Sequence, residues 1–259
     1  MQRALILAGL WAAPIIATES ATVETAQISP LAGGVQSVEI QTSDEMKLAA
    51  TFYEPRKKER SPAVLLVHDA GGNRDQLQGI AESLQKRGFG VLAVDLRGHG
   101  ESKSDKVDWQ ELDEKGQASL WQLAPRDISA AADWLLEQEL VHSTNLSMVG
   151  FQAGCALAAR HAEQDENVIS MVLLSPRKQD FGFDVEQTIL NVNGLPTYVV
   201  DKKNPEVERM VTEANAMGSS EWITFDTVNS KKTTVLDDRK TASRVSKWLA
   251  EIALPKKGR

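Results

Sequence analysis

The stretch LSMVGFQAGCALAARHA, residues 146–162, decides the fold. Residues 146–149 (Leu-Ser-Met-Val) read as a buried strand. Residues 153–162 carry the composition and periodicity of a helix packed along one side. Between them Gly150-Phe151-Gln152-Ala153-Gly154 must turn a strand into a helix. The outer glycines let that helix close tightly on neighbouring strands. The middle residue, Gln152, is then held in a strained conformation that faces the carboxyl edge of the sheet.

Outward from this turn the same alternation repeats. Upstream, residues 63–67 (AVLLV) read as a second buried strand, ending in Asp69-Ala70-Gly71-Gly72, and residues 90–94 as a third. A helix over 76–86 lies between those two and stops at Gly88. Residues 38–42 and 47–53 alternate around Ser43-Asp44-Glu45 and predict a β-hairpin. Asp127 is expected to cap a helix running to Leu136, with Ile128, Ala131, Ala132 and Leu135 on one face. Downstream, strands are expected at 169–174, 197–200 and 222–226, and helices at 206–217 and 238–252. Strands and helices in alternation on short connections predict an α/β protein: a mostly parallel twisted sheet with helices on both faces. The longer connection at 103–126 holds Trp109 and Trp121, which form either a pocket wall or a surface helix with two packed tryptophans. The segment 177–194 is too short for a cap domain, so a pocket should open at the strands' carboxyl ends.

Composition narrows the function. With 259 residues, 42% hydrophobic and 25% charged, the chain can bury one large core and is neither disordered nor polytopic. A net charge of -7 lacks the footprint of a nucleic-acid binder. The single cysteine, Cys155, excludes an internal disulfide and a cysteine-based zinc cage. His68, His99, His142 and His161 sit at no metal-ligand spacing, so neither a metal nor another cofactor is expected. The amino terminus, MQRALILAGLWAAPIIATES, has a positive residue at Arg3, a short apolar run and then small residues. It reads as an export signal, too short to span a bilayer comfortably. The expected organisation is thus a signal over 1–20, a flexible lead-in over 21–36, one domain over 37–254 and a tail over 255–259. The mature protein would be periplasmic or secreted, with no membrane span.

The turn at 150–154 has the frame G-x-S-x-G of the nucleophile elbow, with glutamine in the serine position. Together with AVLLVHDAGGNRDQ from Ala63, VLAVDLRGHGES from Val91, DISAAADWL from Asp127 and LLSP ending at Pro176, it gives the chain a resemblance to the α/β-hydrolases. The likeness is to the small dienelactone-hydrolase-like esterases, and it spans roughly residues 38–252. It implies the α/β-hydrolase fold without a large cap, and it implies a serine at the elbow, an acid after a later strand and a late histidine. Here Gln152 stands at the elbow. Asn204 stands in the acid position, with Asp201 as the alternative, and Lys231 takes the histidine position. No histidine follows His161. The resemblance also implies an oxyanion cradle from the amides of Ala70 and Ala153, beside which Asp69 replaces the usual glycine.

A carboxamide has no ionisable proton near neutral pH and cannot replace an attacking hydroxyl. Losing a member of such a unit costs about 10⁴ to 10⁶ in turnover. The expectation is therefore an exported, catalytically silent protein with a ligand-binding or accessory role toward a small polar or acyl ligand. One alternative is a hydrolase of small esters with a non-standard site, perhaps using Cys155. Another is a structural envelope protein with a vestigial cleft. Cys155 is expected to be a packed core thiol, and His68 and His99 are expected to brace loops.

Overall fold

The computed structural model describes residues 29–31, 34–57, 59–218, 221–228, 231 and 233–254; the predicted signal and tail lie outside them. The chain runs β1 (Ser29–Leu31), β2 (Val35–Gln41), β3 (Lys47–Tyr53), β4 (Ser61–Val67), α1 (Gln78–Arg87), β5 (Gly90–Val94), α2 (Glu114–Trp121), α3 (Pro125–Leu136) and β6 (Val141–Phe151). It continues through α4 (Gly154–Gln164), β7 (Val168–Leu174), β8 (Gln179–Asp180), β9 (Phe183–Asp184), α5 (Val185–Asn191), β10 (Thr197–Asp201), α6 (Pro205–Met217), β11 (Ile223–Thr227) and α7 (Thr241–Ala253). Nine strands form one sheet in the order β1-β2-β3-β5-β4-β6-β7-β10-β11. From β5 to β11 every pairing is parallel, and β1, β2 and β3 extend the sheet antiparallel. This is the fold the strand-helix alternation predicts.

The period of two along each strand divides the core. In β4, Ala63, Leu65 and Val67 face one layer, where α3, α4, α5 and α6 pack; Val64 and Leu66 face the other, with α1 and α7. Strand β5 does the same, with Leu92 and Val94 opposed to Val91 and Ala93. Residues buried on both faces explain why these strands read as unbroken apolar runs.

Two expectations are corrected. The sheet starts inside the segment read as a lead-in, because Ser29–Leu31 pairs with β2, which itself begins at Val35. Asp127 is no cap. Helix α3 starts at Pro125, whose fixed φ and missing amide suit a first helical position. Asp127 lies inside the helix, fully buried against the Arg97 guanidinium at 2.7 Å. The segment 177–194, expected to be too short for a cap domain, folds into the small β8–β9 hairpin and α5. The two tryptophans of the long connection are both packed, 5.7 Å apart edge to face, and Trp109 also lines a cleft with Gly71 and His99.

Candidate functional site

The elbow forms as its glycines require. Strand β6 ends at Phe151, and Gln152 takes φ +47°, a left-handed conformation that a glutamine rarely adopts. Its amide donates to the Leu174 carbonyl at 2.8 Å, which ties the turn to the end of β7. A Cβ on Gly154 would lie 2.5 Å from the carbonyl oxygens of Val67 and His68; one on Gly150 would lie 2.6 Å from Cys155 Cα. Only glycine fits either place, and the strain at Gln152 follows from that close packing.

In the first turn of α4, Cys155 is fully buried, with its thiol against the carbonyls of Gly150 (3.3 Å) and Leu174 (3.5 Å). Burial pushes the thiol well above its ordinary range. It is a core group and has no path to a substrate.

The oxyanion cradle is occupied from within. The Ala153 amide donates to Asp69 Oδ1 at 3.0 Å. Asp69 is itself pinned, its amide donating to Gln76 Oε1 at 3.1 Å and its carbonyl accepting from Gly72 at 2.9 Å. Burial raises the Asp69 carboxyl above the usual range. The Ala153 amide, the charge of Arg177 and the Ala70 amide oppose that rise. Of the two amides expected to face an oxyanion, that of Ala153 thus serves a side chain of the protein.

Two residues that sequence reasoning missed complete the neighbourhood. Arg177 donates to Gln152 Oε1 at 3.1 Å and to Asp180 Oδ2 at 3.0 Å. Desolvation raises the Asp180 carboxyl, Arg177 lowers it, and the nearby charge of Asp69 raises it further. Both sit just past the LSP segment, in a loop whose charges look solvated in the sequence; only the fold of the β8–β9 hairpin turns them toward the elbow.

The structure brings Asp201 and Asn204 beside Gln152 in a cleft of about 440 Å³, together with Thr233 and Thr234. Asp201 closes β10 and is buried; its Oδ1 accepts from the Lys202 amide at 2.8 Å and its Oδ2 from Asn204 Nδ2 at 3.0 Å. Asn204 caps α6 through Oδ1, which accepts from Glu206. Both candidates for the acid position are thus engaged in their own loop. Lys231 is exposed and outside the cleft lining, where Thr233 and Thr234 stand instead.

The remaining histidines brace loops. His68 is fully buried, donating through Nδ1 to the Asp69 carbonyl (2.7 Å) and accepting at Nε2 from the Leu96 amide (3.0 Å). Burial drives its pKa down to about 3, so the ring is neutral. His99 likewise donates to the Arg97 carbonyl (2.9 Å) and accepts from the Gly71 amide (3.0 Å). Neither ring nitrogen of either residue is left to act as a base. His142 is exposed, and His161 lies 3.2 Å from Asp165 on α4. Among the described residues no group of three or more His, Cys, Asp or Glu could hold a metal ion, and no helix is long and apolar enough to cross a membrane.

The Pyrococcus furiosus esterase Pf2001 is similar in structure over 88% of this chain and 92% of its own, at 18% identity and a TM-score of 0.65. A dienelactone hydrolase from Anabaena variabilis is similar over 88% and 97%, at 18% identity and a TM-score of 0.65. The α/β hydrolase GrgF from Penicillium is similar over 85% and 99%, at 15% identity and a TM-score of 0.65. At such identities the likeness establishes the fold alone. No curated protein matches the chain significantly. Residues 48–216 match the model of the dienelactone hydrolase family, and that span holds β4, β5, the elbow and β10 together. The chain therefore belongs to the dienelactone hydrolase family.

Proposed function

We propose that this member of the family does not hydrolyse esters and serves instead as a ligand-binding or accessory protein. The observation that carries this is the hydrogen bond from the Ala153 amide to Asp69. Acyl transfer places a developing negative charge on such amides, and losing one donor costs about 10² to 10³ in rate. Here a carboxylate holds the donor and would repel that charge. Gln152 at the apex supplies no nucleophile, and the neighbouring imidazoles are committed at both nitrogens. The buried, up-shifted Cys155 thiol offers no substitute.

The test combines fluorophosphonate labelling, read by intact mass, with initial rates on a p-nitrophenyl ester series. No adduct is expected, with rates equal to those of Gln152→Ala. An adduct, or turnover lost in Gln152→Ala or Cys155→Ala, would overturn the reading.

Export belongs to the same proposal, on the strength of Arg3 and the short apolar run that follows it. Fractionation of the native host with amino-terminal sequencing checks it: an envelope fraction beginning near residue 20 is expected, and a cytosolic chain beginning at Met1 overturns it.

A further inference from the structure

We infer that the cleft beside the elbow is a site for a small oxyanion, a carboxylate- or phosphate-bearing ligand, whose charge is met by Lys202 and Lys203. The inference rests on the ligand-binding reading above and gives it a chemical class.

The cleft of about 440 Å³ has the size of a small-molecule site. Gln152, Ser175, Arg177, Lys202, Lys203 and Thr233 are in its lining. Three of these are cations, and the one carboxylate in the lining is Asp201. Asp201 is only 5% exposed and has both oxygens engaged, by the Lys202 amide and the Asn204 carboxamide. Arg177 is matched by Asp180 at 3.0 Å. Among the described residues Lys202 and Lys203 have no carboxylate partner, so the excess positive charge of the cleft is theirs. On a chain of net charge -7 this is a local reversal of sign, which concentrates anions at that spot.

The donors point the same way. Arg177 fixes the Gln152 carboxamide by its oxygen, which leaves the Nε2 hydrogens as donors toward the cleft. The Ser175 hydroxyl adds a further group able to donate, on a backbone held at φ +54°. A cationic ligand would have no counterpart, because the two other carboxylates nearby are engaged, Asp69 by the Ala153 amide and Asp180 by Arg177.

The experiment titrates the full chain with inorganic phosphate and with succinate by calorimetry and thermal shift, against chloride at equal ionic strength. Saturable binding and a raised melting temperature are expected. Lys202→Gln/Lys203→Gln together should weaken binding by roughly a hundredfold or more, the scale of two charge-assisted hydrogen bonds. Lys203 is exposed and Lys202 half-buried, so the double variant should keep the wild-type circular dichroism; Lys203→Glu alone gives a second reading of the same charge. Lys86→Gln, on the α1 side of the sheet, should leave binding unchanged. Shifts no larger than those in chloride, or undiminished affinity in the double variant, overturn the inference. Ester turnover is measured on the same samples. Turnover accompanied by anion binding would sink the non-hydrolytic reading and spare the anion site; neither turnover nor binding would do the reverse.

Discussion

Two loop clusters meet at the carboxyl edge of the sheet, and they differ in kind. In the first, after β4 and β5, the Arg97 guanidinium joins Asp127 at 2.7 Å to Asp44 at 2.9 Å and so ties α3 to the turn of the β2–β3 hairpin. Ser102 accepts from the Ala49 amide and donates to the Asp95 carbonyl, and His68 and His99 use both ring nitrogens on backbone groups. In the second, after β6 and β10, Gln152 and Asn204 line the cleft, and exposed Lys231 is outside its lining. The first cluster is a buried network of ion pairs and hydrogen bonds, whereas the second lines an open cleft. Stability is therefore expected to depend more on the first cluster than on the second.

That contrast breaks if the two clusters prove equally costly to alter. Arg97→Met should be the most damaging change, since it strands two carboxylates, one of them fully buried. A loss of about 3–5 kcal/mol, or on the order of 10 °C in melting temperature, is expected in a thermal scan. Gly154→Ala comes next, at roughly 1–3 kcal/mol by urea unfolding, because the new Cβ would meet backbone carbonyl oxygens that cannot easily move.

Acid should expose the first cluster. The folded pKa of His68 is lowered to about 3 from 6.5, so below pH 6.5 the unfolded chain takes a proton that the native ring refuses. Its contribution to stability is full above 6.5 and is lost progressively as the pH falls toward 3. Arg97 likewise holds the Asp44 carboxyl below its ordinary 3.8, a contribution present above that value and lost under stronger acid. Buried Asp69 and Asp180 are raised and act in the opposite sense, gaining from mild acid. Urea midpoints from pH 7 to 3 should fall, and His68→Asn should flatten the slope between 6.5 and 4; an unchanged slope would remove His68 from the account.

The second cluster should respond more mildly. Gln152→Gly relieves a left-handed side chain and should gain about 1 kcal/mol in urea. The smallest effect is sharpest in meaning: Gln152→Ser should leave p-nitrophenyl acetate hydrolysis within about twofold of wild type, since hydroxyl, base and vacant cradle act as one unit. A hundredfold gain would show that the contrast is overdrawn.

Much of this was legible in the sequence, and the failures are physical. Unbroken apolar runs mark β4 and β5 because both faces are covered, and Gly150 and Gly154 mark the elbow because nothing larger fits. Asp127 misled because an aspartate before an amphipathic run satisfies the capping pattern; Pro125 two residues earlier was the better signal of the helix start. Lys231 was placed by a sequence gap of uncertain length, and Thr233 and Thr234 line the cleft instead. Arg177 and Asp180 could not be found by local pattern, because their roles depend on a two-residue-stranded hairpin and on an elbow 25 residues upstream of Arg177.

The bond between Asp69 and Ala153 spans 84 residues of chain and has a historical consequence. On the non-hydrolytic reading proposed above, a lineage carrying it could not reach ester cleavage one substitution at a time. Restoring serine alone would set a hydroxyl beside a seated anion, and restoring glycine at position 69 alone would empty a cradle with nothing to serve. On that reading neither half-step is rewarded, and the carboxylate acts as a ratchet against ester cleavage.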